Sequence, residues 1–63
     1  MAWHFSNEES AETAYEDLKE KLRDGTANKA SAIGLLHQII TDLPGTWIAG
    51  LANQLLDDID TYY

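Results

Sequence analysis

The chain has no cysteine and no valine, one proline, and only four lysine or arginine residues. Each shortage excludes something. Without a thiol there is no disulfide framework, no cysteine-type zinc site and no thiol nucleophile. Without valine, and with aliphatic residues that are mostly leucine and alanine, helix is favoured over strand. No unbroken apolar run approaches the ~20 residues that span a bilayer. Met1-Ala2-Trp3-His4-Phe5 carries no Lys or Arg and leads into acidic sequence, so it does not read as a secretory signal. A cytoplasmic location is expected. Against four cations stand eleven Asp or Glu residues, a formal net charge of −7. Phosphate and anionic lipid repel such a chain, so direct nucleic-acid or membrane binding is not expected.

What is there favours folding. Two Trp, three Tyr, one Phe, eight Leu and five Ile among 63 residues are too many for a chain that stays open. A chain of this length is expected to form one domain, residues 1–63. A domain of about 60 residues buries only ~60% of its unfolded surface and is marginal without a staple. With no disulfide, oligomerisation is the common remedy.

Hydrophobic periodicity predicts three helices after a short arm, residues 1–6. The first spans about 7–24. Ser6-Asn7-Glu8-Glu9 fits a capping box, starting at Ser6 or Asn7. Its apolar positions Ala11, Ala14, Tyr15, Leu18 and Leu22 form a narrow stripe. Lys21 and Arg23 occupy the last turn, and Gly25 follows as the terminator. The second helix spans about 27–42 with Thr26 as cap. Its apolar set, Ala30, Ala32, Ile33, Leu35, Leu36, Ile39, Ile40 and Leu43, covers an arc of roughly 160°. Leu43-Pro44-Gly45 ends it, because a residue before proline avoids the α region. The third spans about 46–60 from a Thr46 cap, with a wide apolar face of Trp47, Ile48, Leu51, Ala52, Leu55, Leu56 and Ile59, and Tyr62 beyond. The expectation is an all-α three-helix bundle or helical hairpin with an acidic first helix.

The widths of the apolar faces do not match. The second and third helices offer more apolar surface than the first covers. Either the Trp3-His4-Phe5 arm folds over the excess, or a second copy does. Homodimerisation would bury residues among Leu36, Ile40, Trp47, Leu51 and Leu55.

The carboxylates are the other distinctive feature. Glu8, Glu12, Glu16, Glu20 and Asp24 recur every fourth residue, flanked by Glu9 and Asp17. Like charges so placed repel mildly. Pairs such as Asp17–Lys21 and Glu20–Arg23 relieve the second half; no cation lies within a turn of the first. Asp57, Asp58 and Asp60 then crowd a helix C-terminus against its dipole, followed by Tyr62 and Tyr63. The first cluster reads either as a solvated face or as a surface that docks on a basic partner; the second reads either as a protein-binding surface or as a frayed tail whose rings lie back on the bundle. In the docking reading Glu8, Glu12, Glu16, Glu20, Asp57, Asp58, Asp60 and Tyr63 make the contacts.

Catalytic signatures are missing. His4 falls within a turn of Glu8, and His37 on the edge of the second helix's apolar arc; neither is in a zinc-helix spacing. The spaced calcium loop is absent. The glycines form no phosphate loop, and no serine has an activating context. So short a chain leaves little room for an enclosed ligand pocket. A non-enzymatic protein without cofactor or metal is expected, its partner another protein with a basic surface. In size, charge and helicity the chain resembles the small acidic helical inhibitors of phages and plasmids, and bacteriocin immunity proteins. Tyr62-Tyr63 after acidic residues is similar to the paired tyrosines of the longer DNase-colicin immunity proteins. The resemblance assigns no residue a role. Carboxylates spaced several ångströms apart on a rigid helix can meet the same Lys and Arg side chains as phosphates do, so the expectation is an inhibitor by charge mimicry where the partner's basic site binds nucleic acid.

Overall fold

The computed structural model describes residues 4–62; Trp3 and Tyr63, singled out from the sequence, lie outside them. Helix α1 runs Glu8–Asp24, α2 Lys29–Asp42 and α3 Trp47–Tyr62. No strand occurs among the described residues. The helices form an up-down-up bundle, with α2 and α3 its most closely packed pair and α1 laid against both. None of these helices is long and apolar enough to cross a membrane.

Local chemistry sets each boundary. Asn7, extended, caps α1, its side-chain oxygen accepting the Ser10 N–H at 2.8 Å. Gly25 ends the helix at φ 78°, where a Cβ would be strained. Its N–H donates to the Leu22 carbonyl at 3.2 Å, and the Thr26 N–H to that of Lys21 at 2.9 Å. That turn explains why α2 starts two residues later than the expected 27. The Thr26 hydroxyl points back to the Lys21 carbonyl at 3.4 Å, so it does not cap α2. Asn28 caps instead, accepting the Ser31 N–H at 3.0 Å. At the second turn Thr46 acts as the sequence suggests: its hydroxyl accepts the Ala49 N–H at 3.3 Å and donates to the Leu43 carbonyl at 2.7 Å. α3 continues to Tyr62, past the expected end at 60.

The core draws on all three helices and the arm. Ala11, Tyr15 and Leu18 come from α1, Ala32, Leu36 and Ile39 from α2, and Ile48, Ala52, Leu55 and Ile59 from α3. Leu36, Ile39, Ile48 and Ile59 are fully buried. Burying one such side chain contributes ~1.5–3 kcal/mol. Phe5 completes the cluster at 7% exposure, so the arm enters the core that the three helices build. Ala30, counted in the apolar arc of α2, is exposed.

Candidate functional site

Four residues of helix advance ~6 Å along the axis and drift ~40° around it. The carboxylates of α1 therefore wind rather than stand in line. Glu8 is half-buried; Glu12, Glu16 and Glu20 are exposed. The lower two of that row reach a groove of about 670 Å³ between α1 and α3, where Glu16 and Glu20 face Asp58 and Tyr62. Leu22 and Leu55 contribute apolar surface, and Lys19 and Arg23 the cations. The groove is open, not an enclosed pocket.

The cations of α1 are largely engaged. Lys21 Nζ lies 3.1 Å from Asp17, the pair expected from their spacing. Lys19 Nζ stands 5.5 Å from the centroid of the Tyr15 ring, a cation–π contact. Glu20 and Arg23 form no ion pair among the described residues. Glu16, Glu20 and Asp58 thus present charge that no cation of this chain pairs with in an ion bridge among the described residues.

The structure divides the residues selected from the sequence. Glu16, Glu20 and Asp58 share the groove; Glu8 and Glu12 lie further up α1; Asp57 and Asp60 are exposed but do not line it. Tyr63 is outside the described residues. Its neighbour Tyr62, 78% exposed, stands in the groove and was not among the selected contacts. Its spacing was the available signal, four residues after Asp58 and seven after Leu55.

The five candidates for a subunit interface also divide. Leu36 is fully buried in the core of the single chain, and Leu55, 8% exposed, belongs to the same core while lining the α1/α3 groove. Ile40 and Leu51 are half-buried. Trp47, 51% exposed, is with Tyr62 one of the two exposed large apolar side chains among the described residues.

A second polar constellation escaped the sequence reading. Asp42, the last residue of α2, accepts the Phe5 N–H on Oδ2 at 2.9 Å and the Gln38 side-chain amide on Oδ1 at 2.8 Å. His4 Nδ1 lies 3.8 Å from the same carboxylate, not beside Glu8. The Phe5 N–H, then the Gln38 amide, hold the Asp42 carboxyl below its ordinary pKa, with His4 adding a smaller charge effect. His37 is exposed. Among the described residues no three His, Asp or Glu side chains converge as a metal site.

A groove of about 540 Å³ on the other flank of α1, toward α2, is lined by Ala14, Leu18, Ala27, Ala32 and Leu35 together with the paired Asp17 and Lys21 and with Thr26, Asn28 and Ser31. It lacks the aromatic ring and the facing carboxylates of the first. No known protein family, curated protein or solved structure matches this chain.

Proposed function

We propose that this protein is a non-enzymatic, cytoplasmic binding module that docks its α1/α3 face on a basic surface of another protein. The observation that supports it is the convergence of Glu16, Glu20 and Asp58 with exposed Tyr62 in one open groove. An aromatic ring among carboxylates suits a docking surface, because tyrosine supplies buried area and the acids supply steering. Where the basic surface is a nucleic-acid site, the module acts as an inhibitor. Its carboxylates meet the Lys and Arg side chains that phosphates would otherwise meet.

Homodimerisation is the second reading. It is favoured by the exposure of Trp47 beside half-buried Leu51 and would leave the acids to solubility alone.

Affinity capture from the native host with tagged wild type, followed by mass spectrometry, tests the first reading. The triple variant Glu16→Gln, Glu20→Gln, Asp58→Asn is the control. A basic partner retained by wild type, lost by the variant and displaced by nucleic acid supports inhibition by mimicry. An identical set of proteins on both baits overturns the docking reading.

A further inference from the structure

The two exposed large apolar side chains, Trp47 and Tyr62, are both on α3. In sequence Trp47, Leu51, Leu55, Asp58 and Tyr62 succeed one another at steps of four, four, three and four. Those steps keep a row on one side of a helix. Leu55, Asp58 and Tyr62 of the row line the groove with α1, so by register Trp47 and half-buried Leu51 extend its α3 wall toward the start of both helices. The row is ~22 Å long at 1.5 Å per residue. Alongside it, on α1, stand Glu16 and Glu20, with Glu12 one turn above.

This arrangement is a row with an exposed aromatic ring at each end, half-buried Leu51 and the Asp58 carboxylate between them, and the carboxylates of α1 on its flank. Its shape, four turns long and open on one side, suits a single helix laid lengthwise. Its charge selects the occupant. A second copy would bring another −7 against the same carboxylates, and nucleic acid or anionic lipid would be repelled likewise. Lys19 is drawn over Tyr15 and Lys21 to Asp17, which leaves the acids of this face available. Lys19 and Arg23, which also line the groove, are the exceptions and favour neutral or acidic residues opposite them.

We propose that the α1/α3 groove seats a basic amphipathic helix of the partner protein, its apolar side on Trp47, Leu51 and Tyr62 and its Lys or Arg flank against Glu12, Glu16, Glu20 and Asp58. The proposal rests on the docking reading above and narrows it from a basic surface to a basic helix.

Two synthetic 16-residue peptides of leucine and lysine are the probes. In one the leucines keep three- and four-residue spacing; in the other the same residues are ordered so that no helical face is apolar. Titration of the isotope-labelled protein is monitored by amide NMR shifts. The amphipathic peptide is expected to bind roughly tenfold or more tightly than its isomer, because only it presents its leucines on one face, and burying even one leucine more is worth about that factor. Its shifts should cluster on the facing sides of α1 and α3, and its circular dichroism should gain helix on binding. The double variant Trp47→Ser, Tyr62→Ser should erase the difference between the peptides, while Glu16→Gln with Glu20→Gln should weaken both. Equal binding of the two peptides, weakened by those Gln substitutions, overturns the helix proposal and leaves the docking reading standing. Binding of neither peptide removes both. Shifts confined to α2, or shifts on the α1/α3 face that appear on concentrating the protein alone, overturn the proposal in favour of another site or a second copy.

Discussion

Asp42 closes α2 with a negative charge where the helix dipole disfavours one. Its compensation comes first from the Phe5 N–H, 37 positions away, then from the Gln38 amide one turn back, with His4 adding a smaller charge effect. The carboxylate holds the arm, and the arm carries Phe5 into the core. Because the folded-state pKa of Asp42 is depressed, its contribution to stability is present above the unfolded value, about 3.9. It is lost as the pH falls through the lower folded value. Urea unfolding at pH 7 and at pH 3 should therefore show wild type losing stability on acidification, with Asp42→Asn losing less. An equal loss in the two proteins would remove Asp42 from the account. Phe5→Ala tests the same clasp from the apolar side. Truncating a buried phenylalanine typically costs ~3–5 kcal/mol, enough to unfold much of a domain this small. A thermal midpoint unchanged in Phe5→Ala would mean that the arm is dispensable.

At the level of the helices, spacing and caps in the sequence were sufficient for their number, order and approximate ends. Gly25 and Thr46 stand where their chemistry predicts. The two-residue error at the start of α2 has a local cause, the backward turn of the Thr26 hydroxyl, which no hydrophobic pattern reveals. The candidate site was less legible. Periodicity finds an apolar arc but not which neighbour covers it. Leu36 and Trp47 thus looked alike in sequence, although one is fully buried and the other half exposed. Asp42 was missed because two of its three partners, Phe5 and His4, lie on the arm, and only Gln38, four residues before it, stands at a helical spacing. The helices also differ in how firmly they are held. α2 and α3 pack closely, whereas α1 has an open groove on each flank. Few buried contacts lower the free energy of local opening. Amide hydrogen exchange should accordingly be faster in the middle of α1 than in the middle of α3; equal protection would show one cooperative unit. α3 has room for improvement as well. Gly50 is an exposed interior residue of that helix, and a Cβ there meets no atom within 4 Å. Gly50→Ala should raise unfolding stability by about 0.5–1 kcal/mol, and a lower midpoint would contradict that reading.

On the scale of the whole molecule, docking and self-association respond to salt with opposite sign. The chain carries −7, so two copies repel whichever faces they present. Added salt weakens that repulsion, since the screening length falls from ~10 Å at 0.1 M to ~3 Å at 1 M. A homodimer built on Trp47, Ile40 and Leu51 should therefore tighten as salt rises. Docking on a basic partner should loosen over the same range, mainly through slower association, because steering is screened first. Of the five residues first expected at a subunit interface Leu36 is fully buried and Leu55 nearly so, which leaves a dimer little apolar area to set against the repulsion. We expect sedimentation to give a monomer at micromolar concentration and low salt. A stable dimer at low salt, dissociated by Trp47→Ser, would favour the assembly reading. Glu12→Gln with Glu16→Gln sharpens the comparison. Like charges four apart on a helix repel, so this variant should be as stable as wild type or slightly more so. It should associate more slowly with a basic partner and self-associate more readily. Unchanged association rates, together with a salt-independent affinity, would leave the acids of α1 as solubilising groups and the dimer as the better account.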